Sequence, residues 1–468
     1  MNAPATRTAA DIARAVRAGT LSAREVAEDA LGRIDALNPL LTAFTEVTHA
    51  RMLGEADAVD ALRQAGAPLR PLAGVPFAVK NLFDLAGVVT LAGSKLRQCA
   101  TPASDDGPLV RRLVAAGALT GGALNMGEFA YDFTGENIHV GPSRNPHDPS
   151  RMTGGSSGGS GAAVAAGMVP LALGSDTNGS IRVPSAFCGI FGLKPTYGRL
   201  PRTGTFPFVD SLDHLGPMTR SVEDLALAFD AMQGADAGDP VCVSDAAPVP
   251  AMDALRFPPS GLRVARLGGW FRGQGEEETD VAADRVAEAL GAGEEIEIEG
   301  AETARAAAFV ITNVEGAALH LDDVRATPEA YDPFVCDRLR AGALMPGVHY
   351  VRAQRARRTF QAQLREVFRS VDLLIAPATP MVAPPIGAQT ITLRGETVPL
   401  RPNIGVYTQP ISFIGLPVVV CPVQTAGGLP CGVQLIAPAW REDLAIAAAH
   451  MLETTGFCSA PIINPKEP

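Results

Sequence analysis

The sequence contains no uninterrupted run of about 18 apolar residues, the length that a membrane-spanning helix needs. Its beginning, MNAPATRTAADIARAVRAG, also lacks the apolar segment of a secretory signal. Internal repeats and low-complexity tracts are absent as well, which argues against a repeat protein. We therefore expect a soluble protein of the cytoplasm that has no membrane contact.

Cysteine is sparse and irregularly placed. There are seven cysteines, an odd number, and no two of them form a C-x-x-C pair. This pattern argues against a disulfide framework and against a cysteine-based zinc site, so we expect free thiols in a reducing compartment and no metal. The seven are Cys99, Cys188, Cys242, Cys336, Cys421, Cys431 and Cys458.

Positive charge is in deficit. Lys and Arg number 39 against 50 for Asp and Glu, which gives a net charge of -11 and a pI of about 5.2. An acidic surface repels nucleic acid and anionic membranes, so we expect neither as a partner. It also offers no long-range attraction to an anionic substrate, so any anion site must be built from local groups.

The chain does have the size and the apolar content for a large core, with 468 residues of which 47% are hydrophobic. Predicted strands and helices alternate along it, which indicates an α/β fold with a mixed or mostly parallel sheet. The Pro-, Asp- and Ala-rich stretch of about 234–260 is the most linker-like. The other predicted parts of what we expect to be a single domain are a helical N-terminal segment (about 1–65), a core (about 70–232) and a C-terminal part (about 261–468).

Local patterns predict several elements. LSAREVAEDALGRIDAL has apolar residues at helical spacing, and Ser22 and Glu25 form a capping-box signature at its start. SDDGPLVRRLVAAGA predicts a helix with acidic residues in its first turn. The Pro-rich stretch 377–402 predicts a loop.

The most unusual stretch is TGGSSGGSGAAVAAG, from Thr153 to Gly167, which we call the glycine-rich loop. Such a composition is typical of flexible linkers. Here, however, a predicted strand and tight turn, VPLALGSDTNGS, follow directly, and the flanking segments are small and apolar as in buried structure. A phosphate-binding loop is a second alternative, but it needs a lysine directly after its glycines, and the next lysine is Lys194.

The same stretch contains G-x-S-x-G as Gly155, Ser157 and Gly159, the pattern of the nucleophile elbow in α/β-hydrolases. That elbow requires a strand directly before it, and RNPHDPSRM shows no strand pattern. A Ser-His-Asp triad would also need a later histidine in a recognisable motif. The later histidines, none of which stands in such a motif, are His214, His320, His349 and His450.

A different catalytic group is suggested by Lys80 at the end of the predicted strand GVPFAVK, by a serine of the glycine-rich loop, and by Ser180 in GSDTNGS. A serine needs a base to become a nucleophile, and a lysine can serve only when it is neutral. Burial among apolar residues lowers the pKa of a lysine and so favours the neutral form. If Lys80 lies too far from Ser180, the loop serine can relay the proton.

The turn DTNGS has a further use, because consecutive backbone N–H groups in a glycine-containing turn can converge on one oxyanion. Taken singly, Ser180 is more typical of a serine in an ordinary turn, and Lys80 of a lysine on a protein surface, than either is of a catalytic residue. The combination of the three features is what favours catalysis.

Together these motifs resemble the amidase signature family. The glycine- and serine-rich block runs from Gly154 to about Pro195, the lysine motif is GVPFAVKN, and the C-terminal block is TQPISFIGLPVVVCP, so the resemblance covers nearly the whole chain. It implies an α/β fold in which helices cover both faces of a large central mixed β-sheet. It also implies the hydrolysis of linear amides through an acyl-enzyme, without a cofactor.

The family uses a Ser–cis-Ser–Lys triad. The resemblance therefore implies that Ser180 is the nucleophile, that Ser156 on a cis peptide relays the proton, and that Lys80 is the base, while Ser157 has no direct role. Asn178 stands where many members have glycine. The residues whose backbone N–H groups the resemblance assigns to the oxyanion site are Thr177, Asn178, Gly179 and Ser180.

Two groups within the family are similar to particular stretches. NMGEFAYDFTGEN resembles the A-type chain of glutamine-dependent tRNA amidotransferases, but the two anchors that hold glutamine there fall near Asp322 and Gly405 and so are absent. EFAYDFTGENIHVGPSRNPHD and VKNLFDLAGVVTLAGSK resemble the group that hydrolyses 1-carboxybiuret to urea-1,3-dicarboxylate and ammonia. That likeness implies a small companion subunit, similar to the C-type chain of the amidotransferases, in a heterotetramer. A broad-specificity amidase is the remaining alternative.

A carboxylate on the substrate needs a local cation or N–H donors. Arg182 is near Ser180 in sequence, although it is equally suited to pair with Asp176. Tyr131 and His320 are further candidates for substrate contacts. Each of the three is also consistent with an ordinary structural residue.

Overall fold

Strands and helices alternate along the chain. The computed structural model describes residue 4 and residues 7–243, 247–259 and 261–465. The strands are β1 Phe44–Val47, β2 Pro76–Lys80, β3 Leu119–Leu124, β4 Arg144–Asn145, β5 Asp148–Met152, β6 Leu171–Asp176, β7 Phe191–Lys194, β8 His214–Thr219, β9 Val264–Leu267, β10 Glu294–Ile296, β11 Leu373–Pro377, β12 Thr390–Leu393, β13 Glu396–Pro399, β14 Val418–Gln424 and β15 Pro430–Ile436.

The helices range from one turn to seven. In the described residues, none is both long and apolar enough to cross a membrane. The helices are α1 Ala9–Ala18, α2 Ala23–Leu41, α3 His49–Gln64, α4 Pro108–Ala115, α5 Gly158–Ala165, α6 Arg182–Cys188, α7 Val222–Met232, α8 Ala251–Arg256, α9 Glu277–Ala289, α10 Ala301–Ala326, α11 Pro333–Ala343, α12 Gly347–Val367, α13 Leu400–Asn403, α14 Gln409–Ser412 and α15 Glu442–Thr454.

Among the described residues, eleven strands form one sheet in the order β1-β3-β2-β6-β8-β7-β14-β15-β11-β9-β10. β2 is parallel to both β3 and β6, and β9 is parallel to both β10 and β11. The other neighbouring pairs are antiparallel. The expectation of an α/β fold with a mixed sheet is therefore confirmed.

The central strands are buried along their whole length. Every residue of β2, β3, β6, β7 and β8 is buried. Because successive residues of a strand face opposite sides of the sheet, complete burial means that both faces are covered. Helices α5, α6, α7 and α15 supply cover by packing against these and the neighbouring strands.

The N-terminal helices begin largely as their sequence predicts. Ser22 and Glu25 form the capping box of α2, with Ser22 Oγ accepting from the Glu25 N–H at 3.0 Å and Glu25 Oε2 accepting from the Ser22 N–H at 2.8 Å. In contrast, α4 begins at Pro108 and has no acidic residue in its first turn. Asp106 lies before that helix and pairs with Arg51, so this detail of the prediction is wrong.

Five strands lie where the sequence predicts a helix, a loop or no strand. β1 lies within the predicted helical N-terminal segment, and the predicted loop 377–402 contains the hairpin β12–β13. RNPHDPSRM forms the hairpin β4–β5, so the expectation that no strand precedes the glycine-rich loop is wrong. This hairpin is separate from the main sheet, however, and does not provide the strand of a central parallel sheet that a nucleophile elbow requires.

The stretch 234–260 includes α8, which packs against α7 and α15. Val249 and Ala251 are buried. The described part of this linker-like stretch is thus attached to the rest of the protein.

Candidate active site

Lys80 ends β2 and is completely buried. Its side-chain nitrogen Nζ donates to Ser156 Oγ at 2.6 Å and to Ser175 Oγ at 2.8 Å. Burial lowers the pKa of Lys80 to about 7, although the carboxylates of Asp213, Asp176 and Asp132 oppose this shift. A lysine with such a pKa is substantially neutral near pH 7 and can accept a proton.

The glycine-rich loop lies in the interior, because every residue from 152 to 170 is buried. The peptide bond between Gly155 and Ser156 is cis. Gly161 in α5 allows close packing, since a Cβ there would lie 3.0 Å from Cys188 Sγ in α6. The segment is therefore a packed structural element around Ser156, and a flexible linker is excluded.

Ser157 holds the neighbouring strand in place. Its hydroxyl donates to the Ser175 carbonyl at 3.2 Å and accepts from the Ser175 N–H at 3.3 Å. Ser175 is in turn the second hydrogen-bond partner of Lys80. Ser157 therefore contacts the backbone of β6, while Ser156 contacts the lysine.

Ser180 lies in the turn between β6 and α6 and is 3% exposed. Its hydroxyl has no hydrogen-bond partner among the residues that the structure describes. The structure thus joins two members of the predicted triad, Lys80 and Ser156, and places the third in the wall of a cavity.

The backbone of this turn has unused donors. Within the described ranges, the N–H groups of residues 177–180 donate no hydrogen bond to the protein. Gly179 has a φ of +144°, and a Cβ there would approach Thr408 Oγ1 to 2.4 Å. Thr408 Oγ1 also donates to the Asn178 carbonyl at 2.7 Å, and Thr177 Oγ1 donates to Asp213 at 2.6 Å. Hydrogen bonds with Thr408 and Asp213 therefore fix the turn, while its backbone N–H groups remain free to donate, as an oxyanion site requires.

A small cavity that is partly open to solvent lies beside this turn. Lys80 and Ser156 do not line it, which agrees with their complete burial. Its lining residues are Ala130, Tyr131, Asp132, Phe133, Thr177, Asn178, Ser180, Phe208, Phe309, Thr312, Arg338, Arg401 and Gln409.

Arg182 is not arranged as a substrate contact. It is completely buried and donates to both carboxylate oxygens of Asp176, at 2.9 and 3.0 Å. Its remaining donors contact Thr408 O, Gln434 Oε1 and Ser412 Oγ. Burial alone would raise the pKa of Asp176, but the adjacent guanidinium outweighs it and holds the pKa well below its usual range. With every guanidinium N–H occupied, Arg182 stabilises the segment that follows Ser180.

We expect Arg182→Met to destabilise the protein by about 3–5 kcal/mol, because the change leaves the buried carboxylate of Asp176 without its counter-charge. Urea unfolding monitored by circular dichroism measures the difference in free energy. The control is Arg369→Met, which removes an exposed pair with Glu366 and should cost less than about 1 kcal/mol. An Arg182→Met protein as stable as this control would contradict the structural role.

The two other candidate contacts have different positions. Tyr131 lines the cavity, but its hydroxyl already donates to Asn313 Oδ1. His320 is not among the lining residues and packs against Phe129, with 4.2 Å between the ring centroids. Burial lowers the pKa of His320 to about 4, which leaves a neutral ring within an aromatic cluster. Neither side chain therefore has the position and the free charge to bind a carboxylate.

Arg338, which no sequence motif indicates, does lie in the cavity. Its guanidinium stacks on the Tyr131 ring at 4.8 Å and donates to the Tyr131 carbonyl at 3.1 Å. No carboxylate among the described residues pairs with it. Arg401, the other arginine of the cavity, pairs with Asp132 at 2.9 Å and Glu136 at 3.0 Å. Arg338 is therefore the cavity cation whose charge the described residues leave uncompensated.

Asp322 and Gly405, the positions near which the glutamine anchors of the amidotransferases fall, have different surroundings. Asp322 is exposed on α10 and does not line the cavity, so it is not where a substrate-binding arginine would stand. Gly405 does lie beside the cavity wall, since a Cβ there would meet Phe133 at 2.6 Å and Gln409 at 3.3 Å. The aspartate anchor is thus absent, whereas an arginine is present at Arg338.

The chain is similar to known proteins over most of its length. The family model described as Amidase matches residues 25–446. The chain belongs to the amidase signature family. It is accordingly an amide hydrolase with a small-molecule amide as its substrate.

Named relatives extend over almost the whole chain. AtzE of Pseudomonas sp. (strain ADP), a subunit of 1-carboxybiuret hydrolase, is 53% identical over 449 residues, which cover 96% of this chain and 98% of that protein. The A-type chain of the glutamyl-tRNA(Gln) amidotransferase from Thermus thermophilus is 38% identical, covering 92% and 93% of the two chains.

Solved structures agree with these similarities. A structure from a vestigial protein complex of an s-triazine catabolic enzyme superposes with a TM-score of 0.96 at 52% identity, covering 97% of this chain and 100% of that one. A bacterial aryl acylamidase of the amidase signature family superposes with a TM-score of 0.89 at 25% identity, covering 99% of each chain. The fold expected from the sequence motifs is confirmed.

Proposed function

We propose that the protein hydrolyses 1-carboxybiuret, a small urea-type amide, to urea-1,3-dicarboxylate and ammonia. The 53% identity to AtzE over 96% of the chain supports this substrate. The lining of the cavity agrees with it, because an arginine that no carboxylate of the described residues pairs with suits an anionic amide.

The observation that carries the mechanism is the buried hydrogen bond of 2.6 Å between Lys80 Nζ and Ser156 Oγ. We assign Lys80 as the base, Ser156 as the relay and Ser180 as the nucleophile. Neutral Lys80 accepts a proton through Ser156 as Ser180 Oγ attacks the terminal carbamoyl carbon. The hydrogen bond that the Ser180 hydroxyl donates to Ser156 Oγ forms on substrate binding, since catalytic hydrogen bonds commonly tighten only in the substrate complex.

The backbone N–H groups of Thr177, Asn178, Gly179 and Ser180 stabilise the oxyanion of the tetrahedral intermediate. When that intermediate collapses, the C–N bond breaks and the proton held by Lys80 returns through Ser156 to the leaving nitrogen, so that ammonia departs. Water then attacks the acyl group on Ser180 and gives a proton to the same relay. Ser180 is released with its proton restored, and the product carries a new carboxylate.

Arg338 is our proposed ligand for the carboxylate of the substrate. Its charge is uncompensated within the described part of the cavity, and its contact with the Tyr131 carbonyl and ring fixes its orientation. This gives Tyr131 an indirect role, because it holds Arg338 in place.

We expect Arg338→Met to raise KM for 1-carboxybiuret by about 10- to 100-fold, the loss typical of a charge-assisted hydrogen bond, with a smaller change in kcat. Steady-state release of ammonia measures both constants. The matched control is Arg340→Met on the same helix, whose arginine is half exposed and lies 3.7 Å from Asp337. If both variants kept the KM of the unmodified protein, the carboxylate would bind elsewhere.

A glutamine-dependent amidotransferase chain is the second candidate, because relatives with that name are 36–38% identical. The cavity argues against it. The ammonium group of glutamine needs an anion, and Gly405 offers no side chain. Asp132, the carboxylate in the lining, is already paired with Arg401.

A substrate panel separates these alternatives. Ammonia release is measured with 1-carboxybiuret, biuret, glutamine and a simple aryl amide. We expect the highest kcat/KM for 1-carboxybiuret. A higher value for glutamine would favour the amidotransferase, and comparable values for all four amides would favour a broad-specificity amidase.

We further propose a small companion subunit in a heterotetramer, since AtzE is itself named as a subunit. Native mass spectrometry of the protein purified from its own cells would detect the complex, and a chain that remains alone would contradict it. The cytoplasm is the proposed compartment, which the seven free cysteines favour.

A further inference from the structure

One side of the cavity carries hydrogen-bonding capacity that the protein does not use. Asn178 is 8% exposed, and its Nδ2 donates to Thr312 Oγ1 at 2.9 Å. Its Oδ1 is buried and has no hydrogen-bond partner in the described part of the chain. A buried acceptor without a partner is rare in folded proteins because desolvation is then not offset.

Gln409 presents the complementary group. It is 1% exposed and lines the same cavity. Its Oε1 accepts from Arg305 Nε at 3.1 Å, whereas its Nε2 donates to no group among the residues described. Thr408, the preceding residue, is bonded to the Asn178 carbonyl at 2.7 Å. An acceptor and a donor are therefore fixed on two adjoining segments of the cavity wall.

We propose that Asn178 and Gln409 are specificity-determining residues that recognise the urea unit beyond the scissile amide. Asn178 Oδ1 accepts from the internal N–H next to the scissile carbonyl, and Gln409 Nε2 donates to the internal C=O. This inference rests on the proposed function. It adds that selection for urea-type amides comes from a carboxamide pair, while Arg338 selects for the carboxylate.

The geometry favours recognition because a hydrogen bond within the protein already orients each carboxamide through the atom that does not contact the substrate. Thr312 fixes Asn178, and Arg305 fixes Gln409, so neither side chain has to be ordered when the substrate binds. A substrate that lacks the internal N–H leaves Asn178 Oδ1 unpaired, and a site built for a hydrogen bond rejects such an analogue strongly.

The test combines a variant with a substrate analogue. The analogue has a methylene group in place of the internal N–H, and the variant is Asn178→Leu, which keeps the size of the side chain and removes the acceptor. The quantity is the ratio of kcat/KM for 1-carboxybiuret to that for the analogue. Intrinsic reactivity cancels when this ratio is compared between proteins.

We expect the ratio to fall by about 10- to 100-fold in the variant. The unmodified protein loses a hydrogen bond when the analogue replaces 1-carboxybiuret, whereas the variant has no acceptor at this position and so has no such bond to lose. Asn178→Gly should give the same fall if Asn178→Leu does not fold. In Gln409→Glu, which retains the oxygen for Arg305 and removes the Nε2 donor, kcat/KM for 1-carboxybiuret should fall by a similar factor.

Two outcomes overturn the inference. A ratio that is unchanged in both Asn178 variants, while the unmodified protein hydrolyses 1-carboxybiuret, refutes the carboxamide pair and leaves the proposed function intact. An unmodified protein that releases no ammonia from 1-carboxybiuret but hydrolyses other amides refutes both.

Discussion

Replacing Ser180 with alanine is expected to abolish amide hydrolysis. Without the hydroxyl no acyl-enzyme forms, and the loss of a serine nucleophile typically lowers kcat by about four to six orders of magnitude. The side chain lies in the cavity wall at 3% exposure, so alanine should be accommodated without a change of fold. Ammonia release measured over hours, with circular dichroism to verify folding, gives the result.

Ser160→Ala is the matched control for Ser180→Ala. Ser160 is a buried serine of the glycine-rich loop, and its hydroxyl donates to the Leu173 carbonyl at 3.0 Å. We expect this variant to keep kcat within about tenfold, because only a neutral hydrogen bond is lost. A Ser180→Ala protein with the activity of Ser160→Ala would refute the assignment of the nucleophile.

Replacement of Lys80 by methionine should lower kcat by about three or more orders of magnitude, since the relay then has no base. Methionine resembles lysine in length and is apolar, so it suits a buried site and removes the proton acceptor. Ser156→Ala should have an effect of the same order if the relay is obligatory. An activity within about tenfold of the unmodified protein would show that another group takes the proton.

The pH dependence follows from the same residue. Burial lowers the pKa of Lys80 from its usual value to about 7, so the amine is neutral above pH 7 and charged below it. Because only the neutral amine is a base, kcat/KM should level off above about pH 7 and fall about tenfold per pH unit below it. An activity constant from about pH 5 to 8, or one that falls as the pH rises through 7, would contradict this assignment.

The sequence predicts the catalytic elements better than the walls of the cavity. Lys80 ends a predicted strand and Ser180 follows one, and both signals are local. Ser175, in contrast, emerges as a partner of Lys80 only because β2 pairs with β6. The hydrogen bond between Lys80 and Ser175 joins residues 95 positions apart, and no local pattern specifies it.

The cavity wall comes from distant helices. Thr312, Arg338 and Gln409 lie on α10, α11 and α14. Thr312 and Arg338 stand in no motif, and the C-terminal block TQPISFIGLPVVVCP, which contains Gln409, does not by itself indicate that this side chain binds substrate. A local signal for α11 does exist, since Asp332 caps it and Pro333 occupies its first turn. The pairing state of each arginine is what distinguishes Arg338 from Arg182 and Arg401, and only the folded structure provides it.

Proline explains the missed hairpins. Pro149 lies within β5 and Pro399 ends β13, and a proline usually argues against a strand because it lacks the backbone N–H. Both hairpins have two strands and stand apart from the main sheet. Every strand in such a hairpin is an edge strand, where proline is tolerated.

The most direct test of the mechanism is to find which serine becomes acylated. The protein is treated with a fluorophosphonate, and the labelled peptide is sequenced by mass spectrometry, with Ser180→Ala and Ser160→Ala treated in parallel. The mechanism predicts a single label on Ser180, retained in Ser160→Ala and absent from Ser180→Ala. A label on Ser156 or Ser157 in the unmodified protein would contradict it and place the nucleophile in the glycine-rich loop.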